Sequence, residues 1–200
     1  MEKEVLLDTD WLPVGSYQFK ILVMVAVLAE NHLAYRGTIK DMCEFLGVKN
    51  ETRNRRNIET AIKELENDGL VKTIIDKKVY TITLSRDAEK KKGIIKLKNN
   101  WIKLIKEYKA ANKEDSVSWD SVLKVLTFLI ADLTEIKKYK EIGEVLNISD
   151  KTVERSIKAL ESIDFEDVVI NRKIAWLYNS KSKYKFKVVG QKIEVGYNFN

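Results

Sequence analysis

Thr38–Val48 reads TIKDMCEFLGV, and Lys138–Ile148 reads KYKEIGEVLNI. Written one above the other they share an acid at Asp41 and Glu141, an apolar residue at Met42 and Ile142, and Glu44 with Glu144. Leu46 and Leu146 follow, then Val48 and Ile148. Further along, IETAIKELE (Ile58–Glu66) matches VERSIKALE (Val153–Glu161), with Ile62 opposite Ile157, Lys63 opposite Lys158 and Leu65 opposite Leu160. Between these blocks the first copy is longer, because Lys49–Asn57 stands where the second copy has Ser149–Thr152. Upstream, FKILVMV (Phe19–Val25) lines up with LKVLTFL (Leu123–Leu129). VLLDTDWL (Val5–Leu12) lines up more distantly with IKLKNNWI (Ile95–Ile102), joining Trp11 to Trp101. Blocks repeated in the same order are the mark of a duplicated unit.

Each copy has the same coarse pattern. Ser16–His32 is apolar nearly all round, which predicts a central buried helix. Gly37 and Thr38 open a second helix with Ile39, Met42, Cys43 and Leu46 inward, and Gly47 ends it. A third helix is expected from about Thr52 to Asp68 with Ile58, Ala61, Ile62 and Leu65 inward. Leu70–Leu84 then places two β-branched runs around Asp76-Lys77-Lys78, a hairpin signal. In the second copy the first helix starts near Trp119 and buries Val122, Val125, Leu126 and Leu129. Its second helix covers about Lys138–Leu146, and Ser149 suits the N-cap of its third. Phe165–Phe199 holds VVI, KIAWLY, YKFKVV and KIEVGYNF, a longer β region of about three strands. Helix, helix, turn, helix, hairpin is the order of a winged helix-turn-helix. The expected fold is α+β, mainly α, as two tandem winged helix-turn-helix domains with β-hairpin wings. The domains are residues 1–86 and 116–200, with 87–115 as linker and entry segment; within it, Ile94–Tyr108 reads as a strand and helix that enter the second unit.

Composition removes several function classes. The chain has 200 residues, one Cys (Cys43), one His (His32), one Pro and a net charge of +6. A single Cys excludes a disulfide framework, and one Cys with one His leaves too few soft ligands for zinc. G-x-x-x-x-G-K-[ST], G-x-G-x-x-G and G-x-S-x-G are all absent, so the reading is a non-enzyme with no cofactor. The N-terminus has acids around a short apolar run, unlike a signal peptide, and the longest apolar stretch (Ile21–Ala29) is about half a bilayer span. A cytoplasmic protein with no membrane partner is expected, with Cys43 a small buried hydrophobe.

A helix-turn-helix reads DNA with the start of its third helix in the major groove. In the first unit that surface is Thr52, Arg53, Arg56, Asn57 and Thr60, with Arg55 nearby. Arg donates bidentately to guanine, Asn pairs with adenine, and both hold phosphate. The corresponding second-unit residues are Ser149, Lys151, Thr152 and Arg155, with Lys158 one turn on. The wings would add Lys77 and Lys78 at the first tip, and Lys181, Lys183 and Lys185 in SKSKYKFKVV, where a spacing of two sets them on one side of a strand. A solvated charged turn and a Lys-protected edge strand are the plainer alternatives. Bulk charge does not decide, because residues 1–86 carry 13 basic and 13 acidic side chains. Trp11, Trp101, Trp119 and Trp176 read as core.

The hairpin that follows IETAIKELENDGLV and the helix SDKTVERSIKALE resemble segments of tandem winged-helix replication initiator proteins of bacterial plasmids and mobile elements, and of phage replisome organisers. The resemblance covers most of the chain and is one of architecture. It implies sequence-specific binding of double-stranded DNA at repeated origin sites, and recruitment of a replicative helicase or its loader, by a protein that is not an enzyme. This chain departs from the pattern in its unequal recognition loops and in lacking an acidic helicase-loading tail. A transcriptional regulator with the same domains and a tandem winged-helix interaction module of the chromosome-segregation type are the alternatives. Those segregation proteins tend to be acidic, and the cluster Arg53, Arg55 and Arg56 argues against that type. Whether the second unit reads bases or makes a homodimer stays open.

Overall fold

Ser16–Leu28 forms helix α1, and Phe19 together with every residue from Ile21 to Ala26 is buried. The structure, a computed structural model, describes residues 4–29, 34–85, 93–131, 138–165, 168–170, 185–189 and 192–196. Over these residues the fold is α+β and mainly helical, with small sheets. The chain divides into two compact units, with the boundary between Lys96 and Leu97.

In the first unit, β1 (Glu4–Asp8) turns its alternate residues Val5 and Leu7 into the core, and a single 3-10 turn (Thr9–Trp11) follows, with Trp11 buried. Helix α1 ends at Leu28, short of the expected His32, because Ala29 leaves helical backbone at ψ 128°. His32 lies outside the described residues. Strand β2 (Ala34–Thr38) comes next. It was not legible from AYRGT, and it takes in Gly37, which the sequence reading placed at a helix start. Helix α2 covers Ile39–Leu46 and is opened by a capping box: Asp41 N–H donates to Thr38 Oγ1 at 3.4 Å, and Thr38 N–H donates to Asp41 Oδ2 at 2.7 Å. Met42, Cys43 and Leu46 are buried as expected; Ile39 is only half-buried. Gly47 ends the helix in the left-handed region at φ 71°. Helix α3 (Thr52–Asn67) buries Ile58, Ala61, Ile62 and Leu65, and packs on α1 and α2.

Strands β3 (Val71–Asp76) and β4 (Val79–Leu84) form the expected hairpin, with β2 added on the other side of β4. All pairs are antiparallel. Asp76 is opposite Val79, so the loop is the two residues Lys77 and Lys78, at φ 46° and 74°. Two positive φ values make this the mirror-image turn whose twist suits a hairpin. Held by lysines instead of Asn-Gly, it costs on the order of 1–2 kcal/mol per residue. Strand β5 (Ile94–Lys98) pairs with β1. Its residues 94–96 therefore fall in the first unit, whereas the sequence reading gave them to the second.

The second unit contains α4 (Asn99–Ala111), α5 (Trp119–Ala131), α6 (Tyr139–Leu146) and α7 (Asp150–Glu161). Helix α5 is its centre, buried continuously from Trp119 to Leu129 and packed on α4, α6 and α7. Two polar residues in this run are satisfied locally: Thr127 donates to the Leu123 carbonyl at 2.8 Å, and the Ser121 and Ser118 hydroxyls are 3.0 Å apart. Trp101 from α4 meets Phe165 edge-on with centroids 6.1 Å apart. Three further strands, β6 (Val168–Ile170), β7 (Lys185–Val189) and β8 (Lys192–Gly196), form a sheet in the order β6-β8-β7. Strand β7 is antiparallel to β8 and β6 is parallel to it. KIAWLY, with Trp176, lies outside the described residues.

Candidate nucleic-acid interface

The start of α3 carries three arginines within four positions, Arg53, Arg55 and Arg56. Thr52, Arg53, Arg55, Arg56 and Thr60 are exposed, and Asn57 is half-buried beside Ile58. Arg55 is held back toward the preceding turn, where its Nε donates to Asn50 Oδ1 at 2.6 Å. The side chains of Arg53 and Arg56 make no hydrogen bond or ion pair among the described residues. The residue that fixes this helix start is Asn54, which the sequence reading passed over. Its Oδ1 accepts from Tyr17 Oη of α1 at 2.9 Å, and its Nδ2 donates to the Lys49 carbonyl at 2.9 Å. Its place on the inward side, four residues before the buried Ile58, was the available signal.

The hairpin runs beside the same helix. Thr73 N–H donates to Glu66 Oε1 at 3.0 Å, and Tyr80 Oη lies 3.5 Å from Glu59 Oε1. Tyr80 is the cross-strand partner of Ile75. Moving from Thr73 to Ile75 on β3 thus corresponds to moving from Glu66 to Glu59 on α3, toward the helix start. The tip at Lys77 and Lys78, roughly 7 Å beyond Ile75, continues in that direction. Arg53, Arg56, Lys77 and Lys78 are brought to the same end of the first unit.

Helix α7 is built differently. Ser149 caps it, accepting from Thr152 N–H at 3.1 Å, and the two hydroxyls are 2.8 Å apart. Lys151 is exposed, and Thr152 is half-buried. Arg155 donates to Ser116 Oγ in the α4–α5 connection, and Lys158 pairs with Glu154 at 2.8 Å one turn earlier. Both line a groove of about 750 Å³ with Tyr108, Asn112 and Ser162. Lys181 and Lys183 lie outside the described residues; Lys185 opens β7.

Two backbone details set the α6–α7 turn. Gly143 lies against it so closely that an added Cβ would sit 2.6 Å from the Ile148 carbonyl oxygen. Lys124, only 2% exposed on α5, donates to the Leu146 carbonyl at 3.4 Å, in effect a cationic cap on the end of α6. Burial holds its pKa down to about 8, against the raising influence of Asp120. In the first unit the shifts run the other way. Burial, with the Asp41 charge second, pushes the buried Tyr35 hydroxyl up to about 12, and burial raises Cys43 despite nearby Arg55.

Among the described residues no cluster of His, Cys, Asp and Glu could hold a metal ion, and no helix is long and apolar enough to cross a membrane. No protein-family model, no curated protein and no solved structure matches the chain.

Proposed function

We propose that this chain is a sequence-specific double-stranded DNA-binding protein made of two winged helix-turn-helix units, acting in replication initiation at repeated sites of a plasmid or mobile element. The observation that carries the DNA reading is the start of α3: exposed Arg53 and Arg56, anchored from below by Asn54, at the same end as the Lys77–Lys78 tip. The helix order and the β2-β4-β3 sheet of the first unit support the winged-helix reading. Arg53 and Arg56 then read guanine edges or grip phosphate in the major groove, and the hairpin lies over the flanking backbone. Helix α7 approaches DNA through Ser149, Lys151 and the amides of its first turn, with Arg155 engaged by Ser116 and the exposed Lys158 paired along the helix with Glu154. The initiator role rests on the two-unit repeat; a transcriptional regulator would use the same interface.

The test is binding of the full chain to random and genomic duplex pools over a salt series, with sequencing of the bound fraction. An enriched site bound with a steep negative salt slope is the expected result. Repeats of that site beside the chain's own gene would favour the initiator over the regulator. Absence of duplex binding at low salt would overturn the DNA reading.

A further inference from the structure

Helix α4 has no counterpart in the first unit. Trp11, the match of Trp101 in the repeat, sits there in a single 3-10 turn, whereas Trp101 lies in a helix of 13 residues. Both α4 and α7 pack on α5. Trp101 and Phe165 tie the start of α4 to the chain just beyond α7, and Arg155 donates to Ser116 in the chain beyond the end of α4. Between these ties lies the groove of about 750 Å³. Its α4 wall is held by Lys109, whose ammonium donates to the carbonyls of Asn112 at 3.3 Å and Asp115 at 2.9 Å.

The charges in the groove do not balance. Its acids are Asp115 and the exposed Glu114. Asp115 is already engaged, with Oδ2 3.3 Å from Lys109 Nζ and Oδ1 accepting from Val117 N–H at 3.3 Å. The cations are Lys113, Lys158 and Arg155. Lys158 is paired with Glu154, but among the described residues the half-buried Arg155 meets only the neutral Ser116 hydroxyl. That hydroxyl takes one N–H of a guanidinium that has several. The rest form a planar fork of the shape that carboxylates and phosphates fill with two parallel bonds. Tyr108, Ala111 and Ala159 add uncharged wall, and the volume is that of a small-molecule site. The first unit has Thr60 in the place of Arg155.

We propose that this groove binds a small organic phosphate monoester, with the phosphate on Arg155 and Lys113 and the organic body against Tyr108, Ala111 and Ala159. A monoester is mostly a dianion at neutral pH, its second pKa being about 6, and so offsets the excess charge better than a carboxylate. The bound ligand bridges α7 to the α4–α5 connection and stabilises the second unit by mass action. The site begins one helical turn beyond Lys151 and does not rest on the DNA reading. A DNA backbone phosphate is the other source of the same group, and the test separates the two.

The full chain is titrated calorimetrically with adenosine monophosphate, glucose 6-phosphate, inorganic phosphate and adenosine at fixed ionic strength. At least one ester should bind one-to-one, inorganic phosphate should compete with it, and adenosine should bind at least about 10-fold more weakly. Arg155→Gln should weaken the ester at least about 10-fold, and Arg155→Lys, which keeps the charge without the fork, by less. Ala111→Phe, at an exposed helix end, should weaken the ester by filling the groove and spare inorganic phosphate. Melting curves establish that each variant is folded. No saturable binding of any phosphate below about 10 mM overturns the site, as does equal binding by wild type and Arg155→Gln. The ester titration is then repeated with a saturating duplex from the bound pool. Unchanged binding supports the small ligand, and displacement by duplex overturns it in favour of backbone phosphate on Arg155. A chain that binds no duplex fails the DNA reading and leaves the ester titration to decide the site.

Discussion

At the start of α3, Arg53 and Arg56 extend into solvent; one repeat later, Arg155 donates to Ser116 and Lys158 is tied to Glu154. The two helices also begin differently. In the repeat Ile58 corresponds to Val153, yet Ile58 is the seventh residue of α3 and Val153 the fourth of α7. The first helix therefore has almost one additional turn, Thr52–Asn54, and Asn54 of that turn ties it to Tyr17. The connecting turns follow suit, five residues (47–51) against three (147–149). A short turn brings backbone close to α6, which is why Gly143 stands where the first copy has the buried Cys43. The two helices share an apolar face and differ where their starts meet solvent.

This contrast is open to direct attack. The largest effect should come from Arg53→Ala with Arg56→Ala, which together cost roughly 2–5 kcal/mol in binding an enriched site if they read bases. Arg155→Ala with Lys158→Ala should cost less than about 1 kcal/mol. Equal losses in a titration of both double variants would mean that the two helices engage DNA alike.

Next in size is a difference in response to pH. Lys124 has an ordinary pKa of 10.5 and about 8 when folded, so between those values the unfolded chain binds the additional proton. Its contribution is complete above about 10.5 and lost as pH falls toward 8, with a span of roughly 3 kcal/mol. Tyr35 behaves oppositely: raised from 10.0 to about 12, its contribution is complete below 10 and lost as pH rises toward 12. Urea midpoints should therefore rise from pH 8 to 10 and fall above it. Lys124→Met should remove the rising arm and Tyr35→Phe the falling one. A wild-type midpoint that is flat from pH 8 to 10 would dismiss the buried cationic cap.

Gly143→Ala comes third. The new methyl group meets a backbone carbonyl that cannot step aside, so a loss of about 1–3 kcal/mol is expected despite alanine's better helix propensity. Cys43→Ala, at the equivalent place under the longer turn, should cost about 1 kcal/mol by calorimetry. The smallest contrast concerns the caps: Ser149→Ala removes the acceptor for Thr152 N–H and should cost about 1 kcal/mol. Glu51 makes no side-chain capping bond to α3, and Glu51→Ala should stay within about 0.5 kcal/mol. Equal melting shifts would erase the distinction.

Much of this protein was legible as sequence because its signals are local. Periodicity located α1 to α3 and α5 to α7, Gly47 marked a helix end, and Asp76-Lys77-Lys78 marked the hairpin turn. Strand β2 escaped because AYRGT has little strand propensity and exists through its register with β4. The pairing of β5 with β1 escaped for the same kind of reason, joining segments almost the whole first unit apart. Within the candidate interface, the exposure of Arg53 and Arg56 followed from the helix period. The inward role of Asn54, the engagement of Arg155 by Ser116 and the burial of Lys124 did not, since each depends on a partner from another element. The amino-acid sequence by itself determined the repeat, the helix faces and the inventory of basic residues, because hydrophobic period and capping chemistry act over a few neighbouring positions. Only the tertiary structure decided which of those cations face outward and which are held inside their own unit, because that choice is made by hydrogen bonds and packing between residues distant in the chain.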